Sequence, residues 1–432
     1  MSLYGSMVTA ISGLTAQSRA LGHVADNVAN SQTTGYKRVD TSFEDYVTNS
    51  TQRLHESGSV VARPDYTNSL QGSIAQSDNT LALAISGQGF FAVAQPAGTD
   101  AQGATEFSKS TLYTRAGDFG LNNEGYLVNN QGYYLKGWPA NAAGTLNRTD
   151  LTTLRIDQSV FDPVATGSVG LSANLPADAA TGTAVTSQVQ IYDALGRQHA
   201  VSLNYTKGTG DAWQLAVSIP GTTPPTPVGT IDLNFGAGAG VPPGTLGSFS
   251  GATGLTGSGG GAGDPAQVGF SIDFGQGPQN ISLDLGSFGS SQGLTQFSGT
   301  EYEVGSLTQN GIPRGSFSSV SIKENGDVAV NYDNGQSRTV ARVPIVSFAD
   351  PDRLQRADGQ AFLATVESGE PLAADINNNG AGKLVTSALE SSNVDIASEF
   401  SKLILAQRAY TANTKIVTTT DQMLQDTINM TR

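Results

Sequence analysis

The fold prediction starts from residues 1–48, which read MSLYGSMVTAISGLTAQSRALGHVADNVANSQTTGYKRVDTSFEDYVT. Positions that alternate by four and three from Met7 form an a/d row, and this row is apolar everywhere except at Ser18. Its members are Met7, Ile11, Leu14, Ser18, Leu21, Ala25 and Val28. Gly13 and Gly22 lie inside this helix, and each costs about 1 kcal/mol relative to Ala. Because such a helix is marginal in isolation, the pattern predicts a partner that covers the apolar row.

A second apolar row occupies the other end of the chain. The spacing predicts a helix over residues 383–432, where Gly is absent after Gly382 and Pro is absent after Pro371. Its a/d positions are Leu389, Asn393, Ile396, Phe400, Leu403, Gln407, Tyr410, Thr414, Val417, Asp421, Leu424 and Ile428. We therefore expect the N- and C-terminal helices to pair as a coiled coil.

The middle of the chain is typical of β structure. It is rich in turn residues, with 52 Gly and 17 Pro in the whole sequence. Residues 81–95 resemble two strands around a tight turn, and Asn-Asn-Glu-Gly at 122–125 and Asn-Asn-Gln-Gly at 129–132 are hairpin signals. Residues 40–70 are expected to be extended or irregular, and the Gly/Ser-rich segment 236–266 to be a long loop or locally disordered.

The overall prediction is a multidomain fold, mainly β with long α-helical termini. Residues 74–138 and 305–372 both consist of short strand-like segments separated by Asn- and Gly-containing turns. We therefore expect a β-rich body domain interrupted by an inserted all-β domain. The expected domains are a terminal helical domain (1–70 with 383–432), a β-rich body (71–148 with 305–382) and an inserted outer domain (149–304).

Composition and motifs argue against several classes of function. The net charge of −14 and the lack of a Lys/Arg cluster argue against nucleic-acid binding. The chain has no Cys, no apolar run long enough to span a membrane and no classical secretion signal. Residues 289–293 match G-x-S-x-G without a helix after them, and residues 375–380 match only the first half of an EF-hand loop. We therefore expect no catalytic, cofactor-binding or metal-binding residues, and no enzyme.

Several strings resemble one family, the bacterial flagellar rod and hook proteins. NVANSQTTGYKR (27–38) is similar to its N-terminal signature, and ISGQGFF (85–91) and YTRAGDF (113–119) are similar to its next two blocks. SNVD (392–395), EF (399–400) and QRAYTAN (407–413) resemble its C-terminal signature. YDALG (192–196) and GLTQF (293–297) are similar to motifs of the hook members, and rod members carry little or no insertion.

The resemblance implies a structural subunit of the flagellar hook, a self-assembling flexible tube that acts as a universal joint between rod and filament in motility. It implies export without a cleaved signal peptide through the flagellar type III apparatus to an extracellular hook/basal-body location. The partners implied are copies of the chain itself, the hook cap, the distal rod protein, the hook–filament junction protein and the hook-length control protein. A rod subunit of the same family and a secreted β-rich binding module, such as an adhesin, remain alternatives.

The residues expected to carry assembly lie in the two helical rows and the two signatures. In the N-terminal region they are Met7, Ile11, Leu14, Leu21, Asn27, Val28, Asn30, Thr34, Gly35 and Tyr36. In the C-terminal region they are Asn393, Val394, Asp395, Ile396, Phe400, Leu403, Gln407, Arg408, Tyr410, Asn413, Val417 and Leu424. Because the helices are marginal alone, we also expect residues 1–35 to become helical only on assembly.

Overall fold

The structure is a computed structural model that describes residues 3–51, 54–100, 103–141, 144–220, 226–236, 239–378 and 380–430. Over these residues the chain is mostly β, with two α-helices, α1 (Leu3–Ala29) and α2 (Ile396–Met430), and a 3-10 helix at Pro351–Arg353. At 1.5 Å per residue, α1 is about 40 Å long and α2 about 50 Å long.

The first ten strands are β1 (Val39–Thr51), β2 (Leu54–Tyr66), β3 (Ile74–Gln76), β4 (Leu83–Ser86), β5 (Phe91–Thr99), β6 (Thr105–Thr114), β7 (Gly120–Leu121), β8 (Leu127–Val128), β9 (Tyr134–Pro139) and β10 (Thr152–Thr153). The next eleven are β11 (Ser168–Asn174), β12 (Ala184–Tyr192), β13 (Gln198–Lys207), β14 (Ala212–Ile219), β15 (Thr226–Phe235), β16 (Leu246–Thr253), β17 (Thr256–Gly257), β18 (Pro265–Asp273), β19 (Pro278–Ser287), β20 (Leu294–Thr295) and β21 (Glu303–Gln309). The last nine are β22 (Phe317–Ile322), β23 (Asp327–Tyr332), β24 (Ser337–Arg342), β25 (Ile345–Ser347), β26 (Gln355–Arg356), β27 (Ala361–Leu363), β28 (Leu372–Ala374), β29 (Lys383–Thr386) and β30 (Ala388–Glu390).

The chain folds into two compact units. The first comprises residues 1–158, 319–331 and 337–432, and the second comprises residues 159–318 and 332–336. The first unit contains both helices, the β1–β2 hairpin and a sheet in which β22, β23, β24, β9, β5, β6, β27 and β26 lie in that order. Strands from both halves of the sequence meet in this sheet, where β24 pairs with β9.

The second unit is all β within its described residues. One sheet has the order β12-β13-β14-β15-β16, and the other has β17-β18-β19-β11-β20 with β21 also paired to β11. Apolar side chains from both sheets form one core around Trp213, Tyr205, Leu215 and Leu283, each of which is fully buried. The alternation of buried and exposed residues along strands such as β18 follows the period of two that a half-buried strand requires.

The predicted turns of the first unit are confirmed. The 122–125 turn joins β7 to β8 and the 129–132 turn joins β8 to β9, and both pairs are antiparallel. Gly125 and Gly132 have φ values of 86° and 84°, a conformation that glycine adopts without strain. The two strands expected within residues 81–95 are also present as β4 and β5, but β4 pairs with β29 rather than with β5.

The expectation that residues 40–70 are extended is confirmed, because most of the regular β1–β2 hairpin lies there. Two other sequence-based predictions were wrong. The described part of 236–266 contains β16 and β17, because Leu246 and Leu255 bury their side chains and β16 pairs with β15. The C-terminal helix begins at Ile396 and not near residue 383, because residues 383–390 form β29 and β30, which pair with β4 and β3.

Candidate assembly site

The two helices lie side by side and antiparallel. Asn27 Nδ2 donates to Glu399 Oε2 at 3.0 Å, and a Cβ added to Gly13 would lie 2.9 Å from Asn413 Nδ2. The residues that make these two contacts are equally far apart in sequence on α1 and on α2, but they occur in opposite order, as antiparallel helices require. Gly13 therefore lets the helices approach closely, whereas Gly22, with nothing within 4 Å of an added Cβ, has no such role within the chain.

The face of α1 that meets α2 follows a row of mostly small residues. It runs through Gly13, Gln17, Ala20, Val24 and Asn27, with the three-and-four spacing of a heptad. On α2 the matching positions are Glu399, Ala406, Asn413 and Thr420, interleaved with Leu403, Val417 and Leu424. The contact between the helices is thus built around small side chains.

The predicted apolar row of α1 lies beside this contact. Met7, Leu14, Leu21 and Val28 are half-buried, and Ile11 is 46% exposed. On α2, three predicted residues, Leu403, Val417 and Leu424, are half-buried, as is Asn413, while Ile396, Phe400, Gln407, Arg408 and Tyr410 are exposed. On α1 the contact is displaced by one residue from the predicted row, because close packing of two helices favours small side chains over the largest apolar ones. On α2, Leu403, Val417 and Leu424 belong both to the predicted row and to the contact.

Asn27 connects the helix pair to the start of β1. Its side chain is completely buried, and Oδ1 accepts hydrogen bonds from Val39 N at 2.9 Å and Tyr36 Oη at 3.1 Å. Its Nδ2 group donates to Val39 O at 2.9 Å as well as to Glu399. All four hydrogen-bonding positions of the amide are therefore used, and an aliphatic residue at this position would leave buried polar groups unpaired.

The rest of the N-terminal signature shapes the turn that follows α1. Asn30 Nδ2 donates to Asp26 O at 2.9 Å, and its Oδ1 accepts from Thr33 Oγ1 at 3.1 Å; Thr34 is half-buried. Gly35 has a φ of 71°, and a Cβ there would lie 2.5 Å from Ala116 N. Only glycine fits this position without moving the backbone.

The side chain of Tyr36 contacts Asn27 of α1 and an arginine of the β region, Arg356. Burial raises the pKa of its phenol, against the opposing effect of Arg356. The Arg356 guanidinium lies 5.5 Å from the centre of the Tyr36 ring and 5.1 Å from that of Tyr66, and it donates to the carbonyl of Lys37. Arg356 was not identified from the sequence, since it belongs to none of the motifs.

A buried ion triad joins three distant parts of the sequence. Glu390 Oε1 accepts from Lys37 Nζ at 2.5 Å and from Gly72 N at 2.8 Å, while Glu390 Oε2 accepts from Arg115 Nη1 at 3.0 Å. The three charged side chains are at most 1% exposed. Burial lowers the pKa of Lys37 to about 8, although the charge of Glu390 acts to raise it, and burial likewise lowers the pKa of Arg115.

This triad cannot be predicted from the sequence alone. Lys37 and Arg115 lie within strings that carry the family resemblance, so a signal existed, but nothing in their spacing indicates that they meet. Glu390 comes into place because β30 pairs with β3 and because Gly35 N donates to Glu390 O at 2.8 Å.

The C-terminal signature forms the entry to α2. Asn393 Oδ1 accepts from Arg38 N at 2.8 Å, and its Nδ2 donates to Leu70 O at 3.1 Å. Asp395 Oδ1 accepts from Ala397 N at 2.9 Å and from Ser398 N, which caps the helix. Val394, between them, is half-buried.

A second ionic group lies one turn into α2. Lys402 Nζ donates to Glu399 Oε1 at 2.7 Å and to Asp40. Burial acts to lower the pKa of Lys402, but the hydrogen bonds to Asp40 and Glu399 outweigh it and raise the pKa above its ordinary value. Together with the bond from Asn27 to Glu399, this group fixes α2 against α1 and β1.

In the second unit, the hook-like string at 192–196 forms a tightly bonded turn. Asp193 Oδ1 accepts from Leu195 N at 2.9 Å and Arg197 N at 2.8 Å, and Oδ2 lies 3.1 Å from His199 Nε2 and 2.8 Å from Arg197 Nε. Burial acts to raise the pKa of Asp193, but bonds from His199 and Arg197 lower it well below its usual range. This aspartate has a structural role in the turn.

The two strings that resemble a nucleophile elbow and an EF-hand loop lie in structural settings different from those that these motifs require. Residues 289–293 precede strand β20 rather than a helix. The carboxylate of Asp375 is paired with Arg148 Nη2 at 2.8 Å and Arg342 Nη1 at 3.2 Å, so its oxygens already have cationic partners. Within the described residues, no three His, Cys, Asp or Glu side chains are grouped as metal ligands would be, and neither helix is long and apolar enough to cross a bilayer.

The fold and this site define a class: chains whose two ends meet in one helical module attached to a β-rich body, as in the flagellar axial proteins. Four family models match successive parts of the chain. They are described as flagella basal body rod protein (residues 7–37), flagellar hook protein FlgE/F/G D1 domain (84–189), flagellar basal body protein FlaE D2 domain (156–312) and flagellar basal body rod FlgEFG protein C-terminal (385–430).

Full-length relatives narrow this class. The chain is 34% identical over 438 residues to the flagellar hook protein FlgE of Brucella abortus and 32% identical to that of Rhizobium meliloti, with 100% of each chain covered. It is 28% identical to the FlgE of Salmonella typhimurium, covering 98% of this chain and all of the relative. The chain belongs to the flagellar hook protein FlgE family.

A solved structure supports the fold. The crystal structure of the Helicobacter pylori flagellar hook protein FlgE2 matches with a TM-score of 0.50 and 16% identity, covering 73% of this chain and 100% of that one.

Proposed function

We propose that this chain is the structural subunit of a flagellar hook and that it polymerises through its paired terminal helices. The function as a hook subunit rests on the full-length relatives. The observation that supports the route of polymerisation is the apolar surface that α2 leaves exposed after packing on α1. It consists of Ile396, Phe400, Ile404, Leu405, Tyr410, Ile416, Met423, Ile428 and Met430.

Part of this surface forms a continuous row. Leu405, Ile416, Met423 and Met430 are spaced by eleven, seven and seven residues, and such spacings keep side chains on one face of a helix. Leu405 and Met430 are 70% and 87% exposed. A large exposed apolar face marks an interaction surface, and copies of the same chain supply a matching one.

The helix pair itself is proposed to be a coiled coil, supported by the heptad-spaced row of small residues between α1 and α2. We propose that its order is coupled to assembly, because the large apolar side chains of both helices gain their burial from neighbouring copies. Far-ultraviolet circular dichroism would test this, since the helical signal should increase when the protein polymerises. Equal helical signals in monomer and polymer would refute the coupling.

The domain arrangement is proposed as terminal domain 1–70 with 383–432, body 71–148 with 305–382 and inserted outer domain 149–304. The large segment 159–318 of unit 2, which interrupts a first unit assembled from residues on both sides of it, supports this arrangement. In a hook, the outer β domains would allow neighbouring subunits to slide, so that the tube bends while it rotates as a universal joint.

The finer biological context follows from the hook function. We propose export by the flagellar type III apparatus without a cleaved signal, an extracellular location, and contacts with the hook cap, distal rod, hook–filament junction and hook-length control proteins. A structural role without enzymatic activity accords with the engagement of the buried ionic groups in structural bonds.

A charge placed on the exposed row tests the assembly role. Ile416→Glu and Met423→Glu should abolish tube formation by the purified full-length chain, as seen by electron microscopy, because a buried unpaired carboxylate is costly. The matched control is Val366→Glu on a loop, where Val366 is 95% exposed. Tubes formed equally well by the α2 variants would overturn the proposed route, and normal hooks in a strain lacking the gene would overturn the function.

A further inference from the structure

A groove in the first unit opens between α1, α2 and β1. Its volume is about 510 Å³. The floor is formed by small side chains, among them Ala20, Val24, Ala406 and Ala409, and the lips by Phe43 and Leu405, which are 47% and 70% exposed. The groove has the size and apolar lining typical of a binding site.

The charged residues at the groove are already paired with one another. Arg38 Nε lies 3.2 Å from Asp40 Oδ2, and Lys402 bonds both Asp40 and Glu399. Two cations and two anions line the groove, so a ligand that carried its own charge would meet no net counter-charge to compensate its desolvation. The groove therefore favours an uncharged, apolar occupant.

The same chain carries such an occupant at the other end of α1. Tyr4, Val8 and Ile11 are spaced by four and three residues, so they share one helix face, and they are 68%, 39% and 46% exposed. No side chain between Leu3 and Ser18 is charged at neutral pH, and the first charged side chain of α1 is Arg19. By contrast, the corresponding stretch of α2 carries Lys415, Asp421 and Asp426.

We propose that the groove receives the Tyr4–Val8–Ile11 face of α1 from a second copy of the chain. The proposal rests on the hook function and assigns one of its subunit contacts. The donor face (residues 4–11) and the α1 side of the groove (residues 17–24) are different surfaces of one molecule, with centres about 13 residues apart along α1, or about 20 Å. A contact between two different patches is heterologous, and it propagates into an open helical polymer instead of closing into a dimer.

Disulfide capture tests the contact directly, because the chain has no native Cys. Val8→Cys is combined with Phe43→Cys in one full-length variant and with Leu405→Cys in another, so that both lips are sampled. After polymerisation and mild oxidation, at least one variant should give a ladder of covalent multimers on a non-reducing gel. The control, Val8→Cys with Val366→Cys, should give no ladder. Tubes without a ladder in both lip variants would overturn the docking while leaving the hook function intact.

A second experiment covers the case in which a double variant does not polymerise. Chains that carry only Val8→Cys are co-assembled with wild-type chains and with chains that carry only Phe43→Cys or only Leu405→Cys. Covalent dimers should form only when both kinds of Cys chain are present. Val8→Glu should also raise the critical concentration of the full chain at least tenfold, with Val366→Glu within twofold of wild type. An unchanged critical concentration for Val8→Glu, or dimers absent from the mixed tubes, would refute the contact. Failure of the wild-type chain itself to polymerise would instead refute the proposed function.

Discussion

Replacement of Glu390 by Gln removes the only anion of the buried triad while keeping the shape of the side chain. Arg115 would then be left as a buried cation without its anion, and Lys37, whose pKa burial already lowers to about 8, would have to remain charged without Glu390 or give up its proton. The amide also has one acceptor oxygen in place of two, so it cannot serve Lys37 Nζ and Gly72 N on one side and Arg115 Nη1 on the other. Breaking a buried ion pair by removing one partner costs about 3–5 kcal/mol, a large part of the stability of a typical domain.

The two tryptophans make this loss measurable, because Trp138 belongs to the first unit and Trp213 to the second. In a Trp213→Phe background, the fluorescence of Trp138 reports urea unfolding of the first unit alone. Glu390→Gln should lower the free energy of unfolding by about 3–5 kcal/mol and the midpoint by about 1–2 M urea. The matched control is Glu367→Gln, since Glu367 is exposed in the same unit.

A double variant separates the charge effect from a general packing defect. Lys37→Met with Glu390→Gln removes one of the two unpaired cations, so it should be more stable than Glu390→Gln alone. A loss below about 1 kcal/mol for Glu390→Gln, similar to that of Glu367→Gln, would refute the account of the triad as a stabilising ionic group. A double variant less stable than the single one would show that charge is not the cause.

Three further predictions concern the same region. Gly35→Ala should destabilise the first unit by about 2–3 kcal/mol in the same urea assay, because its φ of 71° and the 2.5 Å approach of an added Cβ to Ala116 N cannot be relieved locally; unchanged stability would contradict the contact. Because burial lowers the pKa of Lys37 to about 8 in the folded chain, below its ordinary value of 10.5, the unfolded chain binds more protons between these pH values, so wild type should gain up to about 3 kcal/mol over Lys37→Met as pH rises from 8 to 10.5; parallel pH profiles would disprove this. Asp395→Ala should cost about 1 kcal/mol and speed amide hydrogen exchange in the first turn of α2, whereas Asp395→Asn should retain most of the cap; equal exchange in Asp395→Ala and wild type would rule out the cap.

Local sequence patterns predicted the terminal helices and the hairpin turns of the first unit. The apolar row that begins at Met7 and the one that ends at Ile428 predicted a helix at each end of the chain. The Asn-Asn-Glu-Gly turn at 122–125 and the Asn-Asn-Gln-Gly turn at 129–132 predicted the strands around them. These signals are local, because a helix or a hairpin turn depends on residues within a few positions of one another. The strings at 27–38 and 407–413 also carried the resemblance to the family.

The way in which these elements meet depends on contacts between residues that lie far apart in the sequence. The helix pair packs along Gly13, Ala20 and Val24, because two backbones approach most closely over small residues, and a pattern of large apolar positions does not select that face. Residues 383–390 became strands because β3 and β4 offered edges to pair with, although Leu389 fitted the helical spacing. The ion triad depends on Lys37, Arg115 and Glu390 meeting across hundreds of residues, and such a meeting is a property of the folded chain that no local pattern encodes.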